Sequence, residues 1–183
     1  MKYFKITFIL VVCIFTFIGS YFYFSSTPSM TSKINTEKII NGSEVYYDDF
    51  GIPHIYSKNE SDAYFSLGYL MARDRLWQME ILRRAAAGRL SEIIGKKTLE
   101  IDILMRKLQI RKSQKEYLEK NLSKVNPHAL KLSKIFLSGI NYYIENENST
   151  IEFKILGFSP ESWSLVDILS IGGVITLSFA EGI

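Results

Sequence analysis

"MARDRLWQMEILRRAAAGRLSEIIG", residues 71–95, sets long apolar side chains among five arginines and then breaks at a Gly-Arg-Leu step. Together with the preceding residues it carries Ala63, Leu67, Leu70, Trp77, Ile81 and Ala85 at spacings built from threes and fours, the signature of one helical face. Asn59 or Ser61 is placed to cap this helix, and Asp62 adds negative charge in its first turn, where the helix dipole favours it. Asp74 falls on the apolar stripe between Leu70 and Trp77, and a carboxylate buried there needs a pair or hydrogen bonds. Arg73 is offset by about a quarter turn at roughly 100° per residue, and Arg75 points elsewhere, so the expected partner lies far away in sequence. Glu80 is spaced to pair with Arg83 and Arg84. The arginines read either as a solvated, ion-paired flank or as a surface that grips another layer of a larger protein.

Upstream, "SEVYYDDFGIPHIYS" (43–57) reads as a β-hairpin, with Glu44–Tyr47 and Ile52–Tyr56 as strands and Asp48-Asp49-Phe50-Gly51 as the turn. Pro53 has no N–H to give a ladder, which places it at a strand start or an edge. His54 has no neighbours at metal-ligand spacing, and the second histidine of the chain is His128, so His54 reads as a structural strand residue.

Downstream, "LSEIIG" (90–95) adds one apolar turn, and "LEIDILMRKLQIRKSQKEYLEKNL" (99–122) is helical by composition, with Asp102 and Arg106 one turn apart. "NPHALKLSKIFLSGINYYIENE" begins with Asn126 as cap and Pro127 in the first helical position, where a missing N–H costs nothing. Its expected buried stripe is Leu132, Phe136, Ile140 and Tyr143. Ser164 and Asp167 fit a capping box, and the helix they open is apolar on nearly every side from Leu165 to Phe179. Such a helix is buried all round or lies in a membrane. About fifteen suitable residues and Gly172-Gly173 make it short for a span, so burial in protein is expected, although no other part of the chain looks large enough to cover it.

The sharpest change in composition is at the N-terminus. "ITFILVVCIFTFIGSYFYF" (6–24) carries no charge and at about 1.5 Å per residue spans a bilayer core. Lys2 and Lys5 favour a cytoplasmic N-terminus with the remainder across the membrane. The long core and its bulky Tyr21–Phe24 end read as an uncleaved anchor, with signal cleavage near Ser25–Ser26 as the alternative. The expected division is a basic cytoplasmic end (1–5), the anchor or signal segment (6–24), a polar linker (25–40) and one domain (41–183), which is enough chain for a core of its own. Cys13 is the single cysteine, so no intramolecular disulfide is available. "LVVC" (10–13) looks like a lipoprotein box, but Val12 is bulkier than that signal prefers. The net charge of +3 is small and mixed along most of the chain, which argues against nucleic acid as a partner.

Five segments, "DDFGIPHIYS", "DAYFSLGYLMARDRLWQMEILRRAAAGRLSEIIG", "DILMRKL", "GINYYI" and "LGFSPESWSLVDILSIG", run in an order that resembles the front end of the penicillin acylase family of N-terminal-nucleophile hydrolases, over about residues 43–180. The resemblance implies an α+β fold, part of a four-layer αββα sandwich, of which this chain holds a mostly helical portion with one hairpin. It implies a periplasmic or extracellular amidase made as a precursor and cut into a helical α chain and a larger β chain. The β chain's N-terminal serine is then the nucleophile, activated by its own α-amine, and β-chain donors hold the oxyanion. Family substrates are amides with an apolar acyl group, such as β-lactam side chains or acyl-homoserine lactones.

No catalytic residue of that set has a counterpart in these 183 residues, and no metal ligand is assigned. Calcium is implied for the complete enzyme, on an α-chain ligand that would fall past Ile183. Ser20 and Ser43 follow glycines, but neither ends an α-like domain. Positions matching the acyl-pocket helix are Thr176, Leu177, Phe179 and Ala180, whose alternative role is that of ordinary core-helix residues. The expectation is an N-terminal, α-chain-like part of an exported acylase, truncated, inactive alone and marginally stable, whose partners are a β chain of the same precursor or a split-gene product, the membrane through 6–24, and a small acyl amide. The alternative is a non-catalytic membrane-tethered scaffold built on the same helices.

Overall fold

The computed structural model describes residues 2–26, 39–147 and 149–181. An apolar helix α1 (Lys2–Ser26) is followed by the hairpin β1 (Ser43–Tyr47) and β2 (Pro53–Ser57), and then by helices α2 (Glu60–Ala87), α3 (Ser91–Ile94), α4 (Leu99–Leu108), α5 (Ile110–Asn121), α6 (Pro127–Asn146), α7 (Ile151–Leu156) and α8 (Leu165–Glu181). The expected linker falls largely on residues outside those described.

The hairpin is antiparallel, with Ser43 opposite Ser57, Val45 opposite Ile55 and Tyr47 opposite Pro53. Period-two alternation turns Val45 and Ile55 toward the helical core, while Tyr46 and Tyr56 face outward and stack edge to face at 5.7 Å. The Asp48 carboxylate accepts the N–H of Phe50 at 3.0 Å and of Ile52 at 2.8 Å, and Gly51 supplies the left-handed residue at φ 75°. Those bonds, the one from Ile52 foremost, hold the Asp48 carboxyl below its ordinary pKa. Pro53 opens β2, and exposed His54 pairs with Asp48 at 3.1 Å, in keeping with a structural role.

Asn59 caps α2, its side-chain oxygen accepting the Asp62 N–H at 2.8 Å. Asp62 has a second task. Its side chain, fully buried, accepts the N–H groups of Ile40 at 2.9 Å and Asn41 at 2.8 Å, which fixes the chain where it enters the domain. Burial alone would raise its pKa, but these bonds and the Asn59 amide outweigh that and hold it lowered.

α2 and α6 cross in close contact, and two glycines explain how. A Cβ on Gly68 would sit 2.0 Å from the Phe136 carbonyl oxygen, and one on Gly139 would sit 2.1 Å from that of Phe65. The two backbones therefore touch where other helix pairs place side chains. Phe65, Leu76, Ile140 and Phe153 are the largest fully buried apolar residues. Trp77 and Phe158 close on Phe153, with ring centroids at 5.5 and 5.0 Å.

The crossing corrects the expected face of α2. The buried residues include Asp62, Phe65, Tyr69, Ala72, Leu76 and Met79. Of the expected stripe only Leu70 is buried, and Leu67 is exposed. The sequence holds two apolar stripes with the same period, and the glycine contact selects the one around Gly68. Asp74 is corrected as well. It lies on the exposed side, and its partner is the adjacent Arg73, with Nε at 2.7 Å and Nη2 at 3.1 Å. Arg73 is itself buried, donates to the Tyr47 hydroxyl and lies over that ring. In α6, Asn126 caps as expected, accepting from His128 and Ala129. Phe136 is only half-buried, and Leu137 and Gly139 take its place at the crossing.

The stretch 99–122 is two helices, broken at Gln109, which is left-handed with φ 54° and donates its N–H to the Met105 carbonyl. The break lets α4 brace the end of α2, which Gly88 terminates at φ 63°. Arg106 donates to the Gly88 carbonyl at 2.7 Å, and buried Asp102 accepts the N–H groups of Leu90 and Ser91, each at 2.8 Å. Burial opposes the charge on Asp102, and the Ser91 and Leu90 donors outweigh it, leaving its pKa lowered.

Candidate functional site

The arginine-rich run of α2 is a clamp. Glu80 is fully buried, and its Oε1 accepts from Arg84 Nε at 2.6 Å. Arg83 Nη2 lies 2.6 Å from Oε2 in ion-pair contact, off the line of a hydrogen bond. Arg83 then donates to the carbonyls of Glu161 at 3.1 Å and Ser162 at 3.2 Å, and its guanidinium lies 5.3 Å from the centroid of the Trp163 ring. Arg84 reaches Glu92 at 2.6 Å and covers the Phe158 ring, and Arg89 bridges Glu92 and Glu161. The expected pairing of Glu80 with Arg83 and Arg84 is therefore present, but on a buried face and not a solvated flank. Its geometry grips the 158–164 turn within this same chain.

That turn launches α8. Trp163 is buried and exchanges two hydrogen bonds with Asn141 of α6, its N–H donating at 2.7 Å and its carbonyl accepting at 2.9 Å. Asp167 accepts the Ser164 N–H at 2.8 Å and the Ser164 hydroxyl at 2.6 Å, and Arg111 of α5 ion-pairs with the same carboxylate. Half of the capping box expected from sequence, the Asp167 carboxylate on the Ser164 N–H, is thus present and reinforced from another helix, while the Asp167 N–H goes to the Ser164 carbonyl and not to its hydroxyl. Ser170 is buried and bonds back to the Val166 carbonyl at 2.5 Å.

Beyond Gly173 the support ends. Ile175, Thr176, Phe179 and Ala180 are exposed, Phe179 to 82%. At 100° per residue they fall on one face. Leu177 lies off that face and is half-buried. Of the four residues expected to line an acyl pocket, Thr176, Phe179 and Ala180 therefore share an open stripe, joined by Ile175, which sequence reasoning did not single out.

Hydroxyls near this stripe are engaged in the helix itself. Thr176 donates to the Gly172 carbonyl at 2.9 Å and Ser178 to that of Ile175 at 2.8 Å. Ser91 and Ser164 donate to carboxylates, but Asp102 and Asp167 also accept backbone N–H groups, the arrangement of a brace and a cap. Both histidines are outside this region, His54 against Asp48 and His128 against Glu60 at 2.9 Å. Among the described residues no group of three or more His, Cys, Asp or Glu is gathered to hold a metal ion. The stripe can line an apolar ligand, and among the described residues the Thr176 and Ser178 hydroxyls beside it are bonded to helix carbonyls and not to a base.

Comparison with known proteins places the chain. Residues 43–183 match the family described as penicillin amidase. The chain is 32% identical over 140 residues to a penicillin acylase 2 proenzyme from Pseudomonas sp. (strain SE83), covering 76% of this chain and 18% of that protein. It is 28% identical over 160 residues to a penicillin G acylase of Escherichia coli, covering 84% of this chain and 18% of that one. It is 34% identical over 119 residues to the acyl-homoserine lactone acylase QuiP of Pseudomonas fluorescens (strain Pf-5), covering 64% and 14% respectively. The chain thus spans less than a fifth of the length of these relatives. Its fold matches a thermostable penicillin G acylase from Alcaligenes faecalis with a TM-score of 0.65 and 22% identity, covering 79% of this chain and 76% of that solved chain.

Proposed function

Since the chain belongs to the penicillin amidase family, we propose that residues 41–183 are the α-chain-like part of an exported acylase-type amidohydrolase. The nucleophile and the oxyanion donors come from a β-type chain, either cut from the same precursor or separately encoded. The substrate is an amide with an apolar acyl group, of the kind named by the relatives, a penicillin or an acyl-homoserine lactone.

The observation that carries this reading is the form of α8. Its first turns are locked by Asn141, Arg111 and Asp167, while the stripe of Ile175, Thr176, Phe179 and Ala180 stands open. Covering a side chain such as Phe179 is worth about 1.5–3 kcal/mol, so the stripe favours a second apolar surface or an acyl group against it. Rigid at one end and uncovered at the other, α8 suits one wall of a pocket whose reacting groups lie on the partner.

Residues Tyr3–Phe24 of α1 are long and apolar enough to cross a membrane, with a mean hydropathy of 2.2 and no residue of the apolar window buried. In this reading α1 anchors the protein, with Lys2 and Lys5 on the cytoplasmic side and the domain in the periplasm or the extracellular space. Release by signal cleavage would give the same exported domain without its tether.

The test is amide turnover by the purified 183-residue chain, using phenylacetyl and N-acyl-homoserine lactone substrates, alone and co-expressed with a β-type chain. No turnover alone and turnover with the co-expressed chain are expected. Hydrolysis by the 183 residues alone overturns the division of labour. A folded, membrane-bound chain that gains no activity from any β-type partner favours a tethered scaffold instead.

A further inference from the structure

The hairpin has two outer edges, and they differ. Asp48 donates its N–H to the Ile52 carbonyl at 3.2 Å, one step beyond the pair of Tyr47 and Pro53. Bonded and unbonded pairs alternate along an antiparallel ladder. Tyr46 therefore bonds with His54 and Glu44 with Tyr56, while the backbones of Ser43, Val45 and Tyr47 turn to the outside of β1. Those of Pro53, Ile55 and Ser57 turn to the outside of β2. Pro53 has no N–H, which blunts that edge at its start. β1 contains neither proline nor lysine, and each of its three outward residues has an N–H to give. Among the described residues no group bonds the N–H of Val45 or Tyr47.

β1 is also held firmly from inside. Val45 packs on the helical core, and the Tyr47 hydroxyl accepts a hydrogen bond from buried Arg73, whose guanidinium covers the ring. Asp62 fixes the chain just before the strand through the N–H groups of Ile40 and Asn41. Glu44 and Tyr46 face outward and are exposed. A fixed, extended edge with free donors is a template for one more strand, and sheets of folded domains mostly have about 4–6 strands.

The comparisons narrow the occupant. The solved chain that this one resembles is of similar length, since the match covers like shares of both, whereas the curated relatives are several times longer. Most of the family's sequence therefore lies outside a chain of this size. We propose that an extended segment of the β-type partner adds to the outer edge of β1, exchanging backbone hydrogen bonds with Ser43, Val45 and Tyr47. The proposal rests on the reading that such a partner completes the enzyme. The pleat sets the chemistry of the segment. Alternate residues are apolar and face inward beside Val45 and Tyr47, and those between them lie beside Glu44 and Tyr46, where aromatic or cationic side chains fit.

Residue-resolved hydrogen exchange tests this on the full chain, alone and bound to the β-type chain that restores amide turnover in co-expression. In the chain alone the Tyr46 N–H is expected to exchange slowly, being in the ladder, and those of Val45 and Tyr47 fast. In the complex Val45 and Tyr47 should slow by about tenfold or more, while Ile55 on the opposite edge keeps its rate. Val45→Pro removes one outward donor and leaves the ladder to β2 intact. It should weaken binding of the β-type chain by about tenfold, and Ile55→Pro, the matched change on the other edge, by less than about twofold.

Turnover by a complex in which Val45 and Tyr47 still exchange fast overturns strand addition and leaves the two-chain reading standing. Equal slowing at Ile55, or equal weakening by the two prolines, is general shielding or damage and overturns the choice of β1. Slow exchange of Val45 and Tyr47 in the chain alone shows an edge already covered, by a second copy if it depends on concentration and by this chain if it does not. Either result overturns the proposal. Failure of every β-type chain to restore turnover overturns the two-chain reading and this inference with it.

Discussion

The α2–α6 crossing and α8 from Gly172 onward both combine apolar residues with glycine, yet they use them in opposite ways. At the crossing, Gly68 and Gly139 leave no room even for a methyl group, and fully buried Phe65 and Ile140 lie beside them. In α8 a Cβ on Gly172 would meet nothing within 4 Å, and Phe179 projects outward. One region is completed by its own chain, and the other is left uncovered among the described residues. Composition does not distinguish the two. What separates them is whether a second helix of the same chain is held close enough to fill the space.

The arginine clamp joins these regions, so breaking it should have the largest effect. Glu80→Ala removes the carboxylate shared by Arg83 and Arg84 and leaves two buried guanidinium groups short of a partner. Losing one side of a buried ion pair typically costs about 3–5 kcal/mol, with the lower end expected here because Arg84 retains Glu92. Urea unfolding followed by helical circular dichroism measures it. A midpoint equal to wild type would mean that the clamp does not hold α8 to α2 in solution.

The glycines sharpen the comparison more directly. Gly139→Ala forces a Cβ to 2.1 Å from the Phe65 carbonyl, and the helices must separate to accept it. Overpacking of this kind costs about 1–3 kcal/mol. Gly172→Ala makes the same chemical change in open space and should be neutral, or stabilising by up to about 1 kcal/mol through helix propensity. Equal effects at the two sites would remove the distinction between a closed and an open region.

Much of the closed region was legible from local chemistry. Asn59, Asn126-Pro127 and the Asp48–Gly51 turn act through neighbours within four residues, and their roles follow from side-chain geometry that sequence spacing preserves. The face of α2 was not legible in that way. Two stripes have helical period, and the choice between them depends on glycine contacts between helices far apart in sequence, Gly68 against Phe136 and Gly139 against Phe65. Asp74 follows the same choice, since it lies on the stripe that the crossing leaves outward. The open stripe of α8 was legible as an apolar helix lacking cover, but Ile175 joins it only once the supported side is known.

Acid should loosen the closed region before it affects the open stripe, which carries no ionisable group. Asp62 and Asp102 are buried carboxylates whose donors outweigh burial and lower their pKa below the ordinary 3.8. The folded state therefore binds fewer protons than the unfolded one. The stability they contribute is complete above the ordinary carboxylate range and is lost as pH falls through the lowered values. The unfolding midpoint is expected to stay level down to about pH 5 and to drop below about pH 4. Asp102→Asn should cost about 1–3 kcal/mol at neutral pH, since its amide cannot accept from Leu90, Ser91 and the Ser91 hydroxyl alike. It should also shorten the acid limb. An unchanged limb would assign acid sensitivity to Asp62 and the clamp carboxylates Glu92 and Glu161, whose pKa values are lowered chiefly by Arg89.

Phe179→Ala should have the smallest effect on the chain alone and is the most informative about the open region. At 82% exposure the ring has little burial to lose, and surface substitutions of this kind stay within about 0.5 kcal/mol. A β-type chain or an acyl group seated on the stripe would change that, because the ring would then be buried in the complex. The same substitution should weaken association or turnover by about tenfold or more, the equivalent of about 1.4 kcal/mol. Thr176→Val keeps the shape and exchanges a hydroxyl already bonded to the Gly172 carbonyl, so it should leave both readouts nearly unchanged. If Phe179→Ala destabilises the isolated chain by more than about 2 kcal/mol, the stripe is already buried without a partner, as large losses of this kind belong to core aromatic residues. The difference between the two regions would then be one of sequence position and not of completeness.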